Sequence, residues 1–209
     1  MEIISHRGFW EQPNEKNTEK SFIKSFNENF GTETDIRDFN GELVISHDIP
    51  DRSCMSATRF FEIYNSFECK STLALNIKSD GLQQKLLMLL NEYKINNYFV
   101  FDMSIPDALG YLKTNIAYFS RQSEYEPKPS LYENCNGIWL DSFEDKWFST
   151  ELILNHLKNN KKVALVSPEL HKRNHKEFWE YLKISDLFKN KNLILCTDLP
   201  NDAKQFFFK

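Results

Sequence analysis

The sequence predicts an α/β fold, a single short (β/α)8 barrel of the TIM type without an inserted domain. Three observations carry that expectation. Apolar strand-like runs recur along the whole chain, helical patterns separate most of them, and 209 residues with 41% hydrophobic content suffice for one domain with a full core. Strands alternating with helices argue for a parallel sheet. Eight such strands suggest closure into a barrel, near the short end of its size range.

Taken in order, strands are expected at 2–5, at 32–36 paired with 42–46, and then at 73–78, 98–102, 115–119, 137–141, 162–166 and 193–196. Helices are expected at 17–29, 56–67, 80–95, 105–113, 149–160, 172–188 and 201–208. Ser79-Asp80 and Ser149-Thr150 carry side chains suited to capping helix N-termini. Leu82, Leu86, Leu89, Leu90 and Tyr93 form a stripe at helical spacing and read as core. His156 and His175 fall in helical patterns and read as surface residues. Helices are short or missing around 120–136, and the stretch from His47 to the strand at 73 is too short for an inserted domain.

Composition excludes several classes. A formal net charge of −4 gives no electrostatic case for nucleic-acid binding. No apolar run reaches the length that spans a bilayer, and the first residues lack the basic and apolar regions of a signal peptide. Cys54, Cys69, Cys135 and Cys196 show no metal spacing and read as reduced thiols of a cytoplasmic protein.

The chemistry concentrates in the first fifty residues, in His6-Arg7-Gly8, Glu33-Thr34-Asp35 and His47-Asp48. Side chains alternate along a strand, so Glu33 and Asp35 share one face and Thr34 takes the other. Two carboxylates so placed suit a hard divalent ion such as Mg2+ or Ca2+. Proton-transferring histidines beside such an ion suit phosphate-ester chemistry. In a barrel the active site lies at the C-terminal ends of the strands. Polar residues do gather there: His6, Glu33, Asp35, His47, Asn76, Lys78 and Asp102, then Ser120, Arg121 and Glu124 after the fifth strand, Asp141, Ser167, Glu169, His171 and Thr197-Asp198.

This pattern resembles the glycerophosphodiester phosphodiesterases. The resemblance rests on His6-Arg7-Gly8, Asn17-Thr18, Ser21-Phe22, Glu33-Thr34-Asp35, the run Gly41 to His47-Asp48, and the closing Thr197-Asp198-Leu199-Pro200. It implies the same barrel and metal-dependent hydrolysis of a small phosphodiester. His6 and His47 would be the acid/base pair, Glu33 and Asp35 the metal ligands, and Arg7 and Lys78 the phosphate-binding groups. Lys78 matches the lysine of the family's Glu-x-Lys pattern, but Asn76 stands where the family has a third carboxylate. An amide oxygen can still ligate Mg2+ or Ca2+. Glu124 is the reserve ligand, and Arg121 could pair bidentately with phosphate. The segment Ala164 to His171 departs from the family's usual Trp-Thr pair, which leaves the alcohol group open. Three alternatives also stand: a lyase that stops at a cyclic phosphate, an enzyme acting on a nucleotide-linked or surface-polysaccharide diester, and a non-catalytic barrel that binds a polyol phosphate.

Overall fold

The computed structural model describes residues 1–68 and 70–209. Cys69 lies outside the described residues. The fold class is the expected one, an α/β barrel of the TIM type built on eight parallel strands. The strands are β1 Glu2–His6, β2 Gly31–Phe39, β3 Glu42–Ile45, β4 Leu73–Ile77, β5 Tyr98–Phe101, β6 Phe119–Gln122, β7 Gly137–Leu140, β8 Lys162–Val166 and β9 Leu193–Thr197. Of these, β3 is the antiparallel hairpin partner of β2. The helices are α1 Glu19–Asn27, α2 Ala57–Asn65, α3 Gln83–Glu92, α4 Ile105–Tyr111, α5 Thr150–Lys158, α6 Lys176–Ile184 and α7 Pro200–Phe208.

The chain divides into two compact units, Ser5–Tyr118 and a second made of Met1–Ile4 with Phe119–Lys209. In the first, β2 pairs with β4 in parallel, which sets Asp35 beside Asn76 and Glu33 beside Ala74. Paired residues of parallel strands project to the same face, so the register brings the amide of Asn76 alongside the carboxylate of Asp35. The helices of this unit are short and locally well specified. Thr18, Ser56 and Ser104 accept hydrogen bonds from Ser21, Arg59 and Asp107 N–H at the starts of α1, α2 and α4. The apolar faces of α1 and α2 meet in an aromatic cluster, with Phe22 4.7 Å from Phe60 and Phe26 5.3 Å from Tyr64. Burying one such ring contributes about 1.5–3 kcal/mol.

In the second unit β6, β7, β8 and β9 run parallel in chain order. Gly137 opens β7 because a Cβ there would lie 2.6 Å from the Lys162 carbonyl oxygen and 2.5 Å from the Phe119 ring. Ser149 caps α5 as its side chain suggests, accepting from Leu152 N–H at 3.3 Å.

Several boundaries differ from the sequence expectation. The strand expected at 115–119 is β6 at Phe119–Gln122, and Tyr118 makes only an isolated bridge to Val100. Ser120 and Arg121 therefore lie on the strand and not after it. The apolar run misled because the true strand buries polar side chains that have distant partners. Ser120 bonds the Ser130 carbonyl, and Gln122 bonds the Pro127 carbonyl and His156. Ser79-Asp80 does not cap α3, whose N-cap is Leu82 without a side-chain hydrogen bond. Ser79 instead donates to Asp38, and Asp80 accepts from Ser104. The expected helix at 172–188 shortens to α6 because Lys172 and Asp186 take left-handed φ of 60° and 57° on either side.

The two helix histidines are also corrected. His156 is 3% exposed. Its Nε2 donates to Gln122 Oε1 at 2.8 Å and its Nδ1 accepts from Tyr132 O–H at 2.9 Å. Burial lowers its pKa below the ordinary value. His175 is half-buried at the N-cap of α6, its ring 4.2 Å from that of Trp179.

Candidate active site

Within Ser5–Tyr118 the chemistry gathers at the ends of β1 and β4 and within β2. β1 terminates in His6, and the next two residues adopt left-handed conformations, Arg7 with φ 58° and Gly8 with φ 84°. This turn explains the His-Arg-Gly sequence. A Cβ at Gly8 would lie 2.3 Å from Ser21 Oγ and 2.9 Å from the Ser21 backbone carbon, so only glycine lets α1 approach. The Arg7 N–H donates to the Glu33 carbonyl at 3.0 Å and the Gly8 N–H to Thr32 Oγ1 at 3.0 Å. The turn is thereby fastened to β2 on both sides of Glu33.

Glu33 and Asp35 are almost fully buried, at 2% and 0% exposure. Arg7 Nε stands 2.9 Å from Asp35 Oδ2, and Lys78 Nζ 3.6 Å from Asp35 Oδ1. Lys78 Nζ is also 3.7 Å from Asp102 Oδ2. Asp102, in a left-handed conformation just after β5, is a second carboxylate for this lysine that the strand-end pattern flagged without a role. His6 Nε2 lies 3.9 Å from Glu33 Oε2.

The decisive observation is what these oxygens lack. Glu33 Oε2, Asp35 Oδ1 and Asn76 Oδ1 are all buried without a hydrogen-bond partner. Buried polar atoms are ordinarily satisfied, and three on adjacent strand positions form a set. Its electrostatics agree. Burial pushes the Glu33 carboxyl up to about 8, and the neighbouring Asp35 charge adds to the rise. Arg7, Lys78 and a hydrogen bond from Asn76 oppose it. Burial thus outweighs the two cations beside Glu33.

This donor set fits a hard divalent ion: two carboxylate oxygens and one amide oxygen, without hydrogen bonds and held on adjacent strands. Among the described residues no three His, Cys, Asp and Glu side chains group as a metal set. The third oxygen here belongs to an amide.

His47 lies two residues beyond β3, in the loop leading to α2. Its Nδ1 is 2.8 Å from Asp48 Oδ1, and its carbonyl accepts from Arg37 Nε and Nη2 at 3.3 and 3.2 Å. The imidazole is 45% exposed. It lines a cavity of about 510 Å3 together with Arg7, Lys16, Asn17, Thr18 and Cys54. Asn17, noticed in the sequence only as part of a resemblance, donates from Nδ2 to Asp35 Oδ2 at 2.8 Å.

The remaining expected site residues lie in the other unit. Arg121 ion-pairs with Glu126. Glu124 Oε1 accepts the Glu144 N–H at 2.7 Å, and its Oε2 is buried without a partner. The same unit contains a pair that the sequence reading left unassigned: His171 Nε2 donates to Asp141 Oδ1 at 2.7 Å. Glu169 accepts from the hydroxyls of Ser167 and Thr197 and from the Asp198 N–H.

No family model matches the chain, and no curated protein matches it in sequence. Solved structures do. The crystal structure of a glycerophosphodiester phosphodiesterase from Agrobacterium tumefaciens str. C58 superposes with a TM-score of 0.70 at 12% identity, over 96% of this chain and 97% of that one. A glycerophosphoryl diester phosphodiesterase from Parabacteroides distasonis ATCC 8503 superposes with a TM-score of 0.67 at 11% identity, over 98% of this chain and 85% of that one. Across nearly its whole length, the chain has the fold of these glycerophosphodiester phosphodiesterase structures.

Proposed function

We propose that the protein is a metal-dependent phosphodiesterase that hydrolyses a small glycerophosphodiester-like substrate to a phosphomonoester and an alcohol. The observation that carries this reading is the trio of buried oxygens without hydrogen-bond partners on Glu33, Asp35 and Asn76, flanked by Arg7, Lys78 and His6. The likeness to solved phosphodiesterases supports it. Glu33, Asp35 and Asn76 would hold one Mg2+ or Ca2+ ion, whose charge would polarise the phosphate and keep both carboxylates ionised.

The protein's own groups supply the rest. Arg7 and Lys78 use their remaining N–H donors to bind the non-bridging phosphate oxygens and offset the charge that builds on them. One of His6 and His47 removes the proton from the attacking hydroxyl as the new O–P bond forms. The other protonates the departing alkoxide as the old P–O bond breaks. The attacking hydroxyl is water, or a neighbouring hydroxyl of the substrate in a two-step route through a cyclic phosphate. The scattered cysteines Cys54, Cys69, Cys135 and Cys196, without metal spacing, suit a reducing, cytoplasmic setting. No helix among the described residues is long and apolar enough to cross a membrane.

The test is an assay of purified protein with Mg2+, Ca2+ and Mn2+ against glycerophosphodiesters and nucleotide-diphosphate alcohols, detecting free monoester and cyclic phosphate. His6→Asn and His47→Asn should each lower turnover about 10²–10⁴-fold with an unchanged circular dichroism spectrum. Accumulation of cyclic phosphate alone would make the protein a lyase. Asn76, which contributes no negative charge, favours one further reading, a barrel that binds a polyol phosphate without turning it over. Ligand binding without product under every metal would establish that reading instead.

A further inference from the structure

In this reading Asn17 touches neither ion nor phosphate, yet it is tied down at three points. Its backbone is left-handed, with φ 58°, and its N–H donates to the Arg7 carbonyl at 2.9 Å. Asparagine is among the few residues other than glycine that adopt this conformation readily. Its Nδ2 donates to Asp35 Oδ2 at 2.8 Å, and its Oδ1 accepts the Thr34 hydroxyl at 2.9 Å. Thr34 is the residue between the two carboxylates, and its hydroxyl reaches this amide.

The two oxygens of Asp35 are therefore not equivalent. Oδ2 has Asn17 as an aligned donor, while Arg7 Nε, 2.9 Å away, makes an ion pair without hydrogen-bond alignment. Oδ1 is buried without a hydrogen-bond partner and has only the longer ion pair to Lys78 Nζ at 3.6 Å. A carboxylate turns easily about its last torsion, which is broad and nearly two-fold. Something must hold it if one oxygen is to be offered, and Asn17 is placed to do so. The amide cannot be reversed either. A carboxylate only accepts, so the NH2 must face Asp35, and the carbonyl is left to receive the Thr34 hydroxyl.

We propose that Asn17 is a positioning residue that holds Asp35 Oδ2 back so that Oδ1 faces the divalent ion, with Thr34 locking the amide in that orientation. The inference rests on the metal-site reading of Glu33, Asp35 and Asn76. It adds an outer layer to that site, with a residue brought from the start of α1.

Calorimetric titration of the full chain with Mg2+ and Ca2+ tests it, in the wild type and in Asn17→Ala, Thr34→Val and Thr34→Ser. Loss of a group that orients a metal ligand typically weakens binding about 10–100-fold, and Asn17→Ala should fall in that range. Thr34→Val keeps the shape of the side chain and removes the hydroxyl, so it should weaken binding in the same direction by less. Thr34→Ser keeps the hydroxyl and removes the methyl group, so it should bind as the wild type does. A purely packing role predicts the reverse order for the two Thr34 variants, and that order would overturn the proposal. So would an unchanged affinity in Asn17→Ala. If Asn17→Ala does not fold, the Thr34 pair still decides. A wild type that binds neither ion at millimolar concentration overturns both this inference and the metal reading. Wild-type binding with an indifferent Asn17→Ala overturns this inference alone.

Discussion

The strand ends of the two units hold similar inventories of polar side chains and treat them differently. In Ser5–Tyr118, Glu33, Asp35 and Asn76 each keep one buried oxygen without a hydrogen-bond partner. In the unit containing Phe119–Lys209, the strand-end groups largely satisfy one another. Asp141 accepts from His171, Glu169 from Ser167, Thr197 and Asp198, and Gln122 from His156. Glu124 Oε2 and Arg173 Nε are exceptions there, but they are one acceptor and one donor outside the strands and not a set of acceptors on paired strands. Polar residues at strand ends therefore do not identify a site. Buried acceptors left open on neighbouring strands do, because folding alone gives no return for desolvating them.

The sharpest way to break this contrast is to remove an open acceptor. Glu33→Gln and Asp35→Asn should weaken Mg2+ or Ca2+ binding beyond the about 10–100-fold typical of outer-shell changes, with the fold intact by circular dichroism. Unchanged calorimetric affinity in both would end the metal assignment. In the other unit, Glu169→Ala strands two hydroxyls and an N–H. It should cost about 1–3 kcal/mol of stability in urea unfolding and leave metal affinity unaltered.

Asn76→Glu supplies a charged oxygen beside Asp35 and should tighten metal binding, or shift preference between Mg2+ and Ca2+, in the same calorimetric assay. Looser binding to both ions would mean that the amide is not facing the ion.

The pH dependence of stability separates the units by sign. Glu33 holds its proton to about 8 in the folded protein, while the unfolded chain loses it in the ordinary carboxylate range. Between those points the folded state binds more protons, so metal-free stability should fall as pH rises. Thermal melts of Glu33→Gln should lose that slope, and a divalent ion should offset it in the wild type. His156 acts in the opposite direction and by less. Burial lowers its pKa, so below about 6.5 the unfolded chain takes up a proton that the folded chain refuses. Stability should decline as pH falls through that window, and His156→Gln should flatten the decline in melts between pH 7 and 5.

What was legible in the sequence was local. The pairing of 32–36 with 42–46 and the Glu-x-Asp face follow from apolar runs and alternation, whereas His-Arg-Gly was legible as a motif and its left-handed turn was not. The strand β6 was misplaced because Ser120 and Gln122 look like loop residues, and only their distant partners make them strand residues. His156 misled in the same way, since a helical period cannot show that Gln122 and Tyr132 close over it. Asn17 was visible as a letter in a motif. Its contact with Asp35 depends on how α1 begins relative to β2, which no spacing rule encodes.

The composition of the two units also bears on the order in which the protein assembles. Ser5–Tyr118 is one unbroken stretch, whereas the other unit joins Met1–Ile4 to Phe119–Lys209. Contacts between segments so far apart in sequence form slowly, because a long loop must close before they stabilise anything. During synthesis, every residue of the candidate site is present once Tyr118 has emerged. Met1–Ile4 must then wait for the partners that Phe119–Lys209 supplies, so the unit that carries the candidate site has all of its residues first.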